Sequence, residues 1–174
     1  AVCCSRERST KGSTLCQTRE VYRCGYPIDD LLVYMDEECL RLVINASNIE
    51  ADLSYLHEHA TGYDVTIEDR TDATTMIAIQ GPEAVAILAE ACSTDLSEIG
   101  YYHFGRSNLC SIPDTLLSRT GYTGEDGFEI YLRAADGASV WHALLELARP
   151  RALAPIRLRA RATLRLAARP APSV

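Results

Sequence analysis

The stretch Ser118 to Leu132, SRTGYTGEDGFEIYL, decides how the rest of this 174-residue chain is read. Glycines stand at every third position (Gly121, Gly124, Gly127), and the pattern then becomes an alternation of Phe128, Ile130 and Leu132 with Glu129 and Tyr131. Glycine accepts backbone angles closed to other residues, so the first half reads as a loop. The period-two half reads as a strand with one apolar face and one face carrying a carboxylate beside a phenol. Asp114 to Ser118 reads as its partner strand. The whole is a hairpin whose long glycine-rich connection lets a small ligand approach the backbone.

Two glycine motifs are excluded. A dinucleotide fingerprint needs G-x-G-x-x-G running into a helix, whereas this loop is G-x-x-G-x-x-G running into a strand. A phosphate loop needs Gly-Lys-Ser/Thr, and Glu125, Asp126 and Glu129 would repel a phosphate. An acidic glycine loop faces hydrogen-bond donors, or it is a hairpin that only turns the chain.

Outward from the hairpin, Leu31 to Met35 and Cys39 to Asn45 read as paired strands. Ser47 to Glu50 has the spacing of a capping box, opening a helix to about Ala60 with Gly62 as its stop. Tyr63 to Glu68 and Thr74 to Gln80 read as a second strand pair. A helix follows Pro82, with Val85, Leu88, Ala89 and Cys92 as its buried stripe. Residues 93 to 113 show a mixed pattern with an aromatic cluster, Tyr101, Tyr102 and Phe104. Val140 to Ala148 reads as a third helix with Trp141, Leu144, Leu145 and Ala148 turned inward. Connections this short cannot make parallel crossovers, so the expected fold is α+β, with antiparallel sheets in strand-strand-helix units. Residues 1 to 24 lack a sustained period and are expected to be poorly structured; the core is expected over 25 to 148, with an Arg/Ala/Pro-rich tail over 149 to 174.

The net charge of −7 conceals an asymmetry. From Asp29 to Val140 there are 21 acidic residues against 5 basic, while both flanks are net basic. An acidic body of this kind argues against a nucleic-acid partner. No apolar run approaches the roughly 18 residues of a membrane helix, and the basic start resembles a transit peptide only weakly because Glu7 and Glu20 interrupt it. The seven cysteines are odd in number and include no C-x-x-C, which fits reduced thiols and a cytoplasmic location, mitochondrial in a eukaryote. No metal is expected, since His57 and His59 are two apart on a helix and diverge.

The run SRTGYTGEDGFEIYL resembles the signature of the aminomethyltransferase (T-protein) family of the glycine cleavage system. Further pieces match in the family's order: IDDLLVY from Ile28 to Tyr34, LVINASNIEADL from Leu42 to Leu53, and MIAIQGPEA from Met76 to Ala84. A weaker echo is RARATLRLA from Arg159 to Ala167, and the resemblance spans about Gly25 to Leu166. Family members extend beyond both ends of this match. The resemblance implies transfer of the methylene carbon from the aminomethyl-lipoyl arm of H-protein to tetrahydrofolate, with release of ammonia and without a metal. Related alternatives are an iron–sulfur assembly factor, a sarcosine- or dimethylglycine-dehydrogenase-type folate domain, or an inactive truncated fragment.

The resemblance also implies residue roles. Glu129 stands where the family meets the paired N–H donors of the pterin, a match that suits a two-oxygen carboxylate; the alternative is a solvent-facing Glu on an edge strand. Tyr122 is assigned to the folate pocket, or it packs the loop onto the sheet. Of the adjacent pair Asp29 and Asp30, whose side chains must point to opposite faces, Asp30 matches the family's functional aspartate. The implied role is to polarise the folate 5-nitrogen or manage its proton, which suits a buried carboxylate; the alternative is turn chemistry. Tyr34 and Asn45 are implied to line the same pocket, and Arg161 matches a pocket arginine although the acidic neighbours of that motif are Ala162 and Ala167 here.

Overall fold

The computed structural model describes residues 13–21, 27–36, 39–157 and 163–164. They fall into two compact units, Ala1–Arg70 and Thr71–Val174. Both combine antiparallel strands with helices, the expected α+β class.

The first unit is a meander of β1 (Ser13–Val21), β2 (Pro27–Met35) and β3 (Leu40–Val43), followed by α1 (Ile49–His59). β2 lies between the other two, pairing antiparallel from Leu15↔Tyr34 to Val21↔Pro27 and from Leu32↔Val43 to Met35↔Leu40. β1 corrects the expectation of a poorly structured stretch over residues 1 to 24. Its sequence, STLCQTREV, has no apolar period to announce it, and the ladder with β2 supplies the backbone partners instead. β3 ends two residues before the expected Asn45 because the Asn45 amide donates to Asp29 Oδ2 at 3.0 Å rather than to a neighbouring strand. The helix does not open on a Ser47 capping box. Asn48 is the cap residue, makes no side-chain cap bond, and its Oδ1 takes the Ser47 hydroxyl at 3.2 Å. Residues Tyr63 to Glu68 do not form a strand: Tyr63 is 75% and Val65 59% exposed, so their alternation has no surface to bury against.

The second unit orders its strands β5-β6-β7-β4, using β4 (Thr74–Gln80), β5 (His103–Leu109), β6 (Ile112–Ser118) and β7 (Gly127–Arg133). All three pairings are antiparallel; β4 meets β7 in unbroken register from Thr74↔Arg133 to Gln80↔Gly127. β5, in the stretch read as mixed, carries a register shift between Ser107 and Leu109 that spoils its period-two signal. It turns into β6 through Cys110 and Ser111, both at positive φ (48° and 69°), the backbone of a two-residue hairpin turn.

One face of this sheet carries Ile77, Ile79, Phe128, Ile130 and Leu132 against α2 (Ala84–Ala91) and α3 (Gly137–Ala148). Burying each such side chain stabilises by about 1.5–3 kcal/mol. The helices are turned relative to the sequence expectation. α2 buries Leu88 as expected, but with Ala84 and Ile87; Val85 and Cys92 are only partly buried and Ala89 is exposed, since the helix starts two residues past Pro82 with the Ala84 amide bonded to Gly81 O at 3.0 Å. α3 buries Val140, Leu144 and Ala148, leaving Trp141 37% exposed. Past α3, Leu153 packs on this core and Arg151 pairs with Glu90, so residues expected in the tail from 149 belong to the unit. Among the described residues, no helix is long and apolar enough to cross a membrane.

Candidate functional site

Glu129 sits at the centre of β7, paired with Ser118 of β6 on one side and Ala78 of β4 on the other. The edge-strand alternative is therefore excluded, and the side chain is 8% exposed. Thr120 Oγ1 donates to Glu129 Oε2 at 2.6 Å and Tyr131 Oη donates to the same oxygen at 3.3 Å. With its proton committed to Glu129, the Thr120 hydroxyl accepts from Ser118 Oγ at 3.0 Å. Among the described residues both hydrogen bonds to the carboxylate fall on Oε2, which leaves Oε1 as the acceptor for a ligand.

The carboxylate borders a cavity of about 710 Å³ whose walls include Met76, Ala78, Gln80, Tyr122 and Trp141. Tyr122 is 44% exposed, as an aromatic platform on the loop would be. The loop itself is fastened twice. Arg119 Nε and Nη2 meet the two oxygens of Asp126 at 3.0 and 2.6 Å, Nη1 donates to Ile99 O at 3.0 Å, and the guanidinium lies 5.8 Å from the centre of the Phe128 ring. This pairing holds the Asp126 carboxyl below the usual carboxylate range. Gln80 reaches in from β4: its Nε2 donates to Thr120 O at 3.0 Å and Phe128 O at 3.3 Å, and its Oε1 accepts from Thr123 Oγ1 at 3.1 Å. The glycines are there to admit this side chain. A β-carbon on Gly121 would overlap the Gln80 amide, and one on Gly127 would overlap the carbonyl of Ile79.

Tyr102 belongs to the aromatic cluster of Tyr101, Tyr102 and Phe104. It adopts φ 57°, uncommon for a bulky residue, with its amide bonded to Arg119 O at 3.0 Å. Burial pushes its phenol up, and Tyr101, Tyr122 and Glu129 add to the effect, which places the hydroxyl in their field. A positive φ on tyrosine has no sequence signal. Thr120 and Ser118 did have one, since they alternate on the face that Glu129 shares.

In the first unit, the structure brings Asn45 to both aspartates. Asn45 Nδ2 lies 2.6 Å from Asp29 Oδ1, 3.1 Å from Asp30 O and 3.3 Å from Asp30 Oδ1. The inward carboxylate is Asp29, 6% exposed, and it also accepts from the amides of Asp30 at 2.9 Å and Asn45 at 3.0 Å. Burial pushes Asp29 up, but hydrogen bonds, chiefly those from the side chain and backbone of Asn45, outweigh it and hold the carboxyl below its ordinary value. Asp30, expected as the buried carboxylate, is the exposed one. The strand alternation that separates the two faces is right, and the assignment of inside and outside is reversed. Tyr34, expected to line a pocket, has no exposed surface. Arg161 lies outside the described residues. Among the described residues, no group of three or more His, Cys, Asp or Glu side chains is arranged to hold a metal ion.

Residues 3–169 match the family model described as the GCVT N-terminal domain. Curated relatives include aminomethyltransferases of Chloroherpeton thalassium, 45% identical over 84% of this chain, and of Exiguobacterium sibiricum, 47% identical over 83%. The chain spans only 40% and 39% of those two relatives' lengths. Among solved structures, the glycine cleavage system aminomethyltransferase T of Bartonella henselae matches with a TM-score of 0.74 at 31% identity, over 90% of this chain and 41% of that one. A heterotetrameric sarcosine oxidase of Corynebacterium sp. U-96 shares the fold at a TM-score of 0.56 and 20% identity, over 73% of this chain and 64% of that one.

Proposed function

The chain belongs to the GCVT N-terminal domain family, and from that membership together with the Glu129 cluster we propose that it is the tetrahydrofolate-binding part of a glycine-cleavage aminomethyltransferase. The observation that carries the reading is a buried carboxylate with one oxygen committed to Thr120 and Tyr131 and the other available beside a cavity of about 710 Å³. An N–H donor on a pterin edge matches the available oxygen, and a charge-assisted bond of this kind contributes roughly 1.5–3 kcal/mol. Tyr122 offers a flat face to the ring.

In the proposed reaction the aminomethyl group arrives on the lipoyl sulfur of H-protein. The folate 5-nitrogen attacks the methylene carbon, and the carbon–sulfur and carbon–amine bonds give way to two carbon–nitrogen bonds on folate. The two folate N–H protons leave with the thiol and with ammonia, so the exchange balances without a redox partner. The family resemblance gives Asp30 the role of polarising the 5-nitrogen; on the first unit it is exposed, with Asn45 Nδ2 3.3 Å from its Oδ1. The chain contributes mostly placement, which in well-oriented systems supplies up to about 7–11 kcal/mol. A cytoplasmic location, mitochondrial in a eukaryote, belongs to the same proposal.

Because the chain covers about 40% of its relatives, it is expected to bind tetrahydrofolate with little turnover. Calorimetry with tetrahydrofolate tests the binding: Glu129→Ala is expected to abolish it while the circular dichroism spectrum stays unchanged. Equal affinity in the two proteins would remove Glu129 from the pocket. A coupled assay with aminomethylated H-protein tests turnover, and robust formation of methylenetetrahydrofolate by this chain would overturn the expectation of a binding fragment.

A further inference from the structure

At the entry to β5 the chain makes a β-bulge. Tyr102 donates its amide to Arg119 O at 3.0 Å, and the Arg119 amide donates to His103 O at 2.9 Å. Two residues, Tyr102 and His103, thus oppose one, just past the end of β6. A bulge whose first residue has positive φ normally places glycine there. Here that residue is Tyr102, at φ 57°. A bulky side chain held in this region is strained, and such strain collects at ligand sites.

The fold recovers little from that strain. Among the described residues the Tyr102 hydroxyl makes no hydrogen bond. The ring is half-buried, with Tyr101 edge-on to it at 4.8 Å and itself 69% exposed. The place of the bulge shows what the ring can reach. Arg119 follows Ser118, and Ser118 is paired with Phe104 of β5 on one side and with Glu129 of β7 on the other. Tyr102 therefore starts two strand spacings from β7, about 10 Å, which a tyrosine side chain and one hydrogen bond together span. A bulge re-aims the side chain it carries. Burial, then Tyr101, Tyr122 and Glu129, push the phenol up, as they would with the ring turned to the Glu129 face, and the hydroxyl is a protonated donor at neutral pH. The cavity walls Met76, Ala78 and Gln80 belong to β4, on the opposite flank of Glu129. A flat ring bonded to Glu129 Oε1 has β4 along one side and Tyr102 along the other.

We propose that Tyr102 is a ligand-contacting, specificity-determining residue, its hydroxyl donating to the ring carbonyl beside the N–H that Glu129 accepts. A carboxylate takes only donors, and the phenol supplies one. Together they read both halves of a 2-amino-4-oxo edge, the N–H at Glu129 and the oxo oxygen at Tyr102. A 4-amino ring presents the phenol with another donor and forms no such bond. The assignment rests on the folate reading above and adds to it the group that recognises the oxo form.

Calorimetry with tetrahydrofolate and with its 4-amino analogue tests this on the wild type, Tyr102→Phe and Tyr101→Phe. Phenylalanine keeps the ring on the same backbone and removes only the hydroxyl. Tyr102→Phe is expected to bind tetrahydrofolate about three- to tenfold more weakly, yet to bind the 4-amino analogue as the wild type does. Tyr101→Phe is expected to match the wild type for both ligands. Unchanged tetrahydrofolate affinity in Tyr102→Phe overturns the assignment and leaves the folate reading standing. An equal fall for both ligands also overturns it, since that marks lost packing. Should Tyr102→Phe fail to fold, the carbon-13 shift of the Tyr102 Cζ in the wild type decides: it is expected to move on saturation with tetrahydrofolate, and a shift that stays put overturns the contact. A wild type that does not bind tetrahydrofolate overturns the folate reading and this assignment with it.

Discussion

Arg119 grips both carboxylate oxygens of Asp126 across the base of the glycine loop, at 3.0 and 2.6 Å. The folded state holds Asp126 below its ordinary value, principally through that hydrogen-bonded pair. A depressed carboxylate contributes stability that is present above its unfolded value of about 3.9 and lost as pH falls through the folded one. Asp126 is half exposed, so the contribution is at most about 1 kcal/mol. Thermal melts of the wild type and Asp126→Asn are expected to differ at neutral pH and to converge in acid. A constant difference across that range would count against the pair as its source.

Gly121→Ala is expected to dislodge Gln80 and with it two hydrogen bonds to the loop and one to β7. A loss of about 1–3 kcal/mol should appear in urea unfolding, together with weaker tetrahydrofolate binding. The cause is a collision with one side chain, so the two residues are coupled. In a Gln80→Ala background the same glycine substitution should cost far less, and strict additivity in the double-mutant cycle would refute the steric account.

Thr120→Val keeps the shape of the side chain and removes the 2.6 Å bond to Glu129. A buried carboxylate then loses its shorter protein donor. The expected destabilisation is about 1.5–3 kcal/mol by denaturant titration, with a parallel weakening of tetrahydrofolate binding. An unchanged midpoint would mean that water replaces the hydroxyl without cost.

Cys92 is pushed up to about 11, mainly by burial, with the neighbouring Cys110 adding to the effect and a Ser107 hydrogen bond opposing it. Only the thiolate alkylates at a useful rate. Mass-spectrometric mapping after iodoacetamide at pH 8 should therefore find Cys92 largely unmodified, and its labelling should climb as pH approaches 11. Rapid labelling at neutral pH would show that the segment opens.

The sequence made the Glu129 strand legible because its alternation is clean and its glycines are dense. Thr74–Gln80 was equally readable, with bounds the structure reproduces. Burial was harder. Helix faces came out turned by about one residue position, since small residues such as Ala84 and Ala89 give the period little contrast. Which of Asp29 and Asp30 lies inside depends on where the Asn45 turn folds back, and no local pattern encodes that. The loop fasteners Arg119 and Gln80 were invisible for a similar reason: each acts at a distance in sequence, Gln80 across 40 residues to Thr120. Strand β1 rests on a ladder rather than on side-chain period, and so escaped a reading built on periodicity.

Trp141 is the single tryptophan of the chain, and it forms part of the wall of the Glu129 cavity, 37% exposed. Its emission colour therefore reports on the wetness of that hollow with no label attached. A ligand that displaces solvent there should shift the fluorescence toward the blue or quench it, and excitation at the red edge, beyond the absorption of the nine tyrosines, gives an optical titration in which the light originates at one known address.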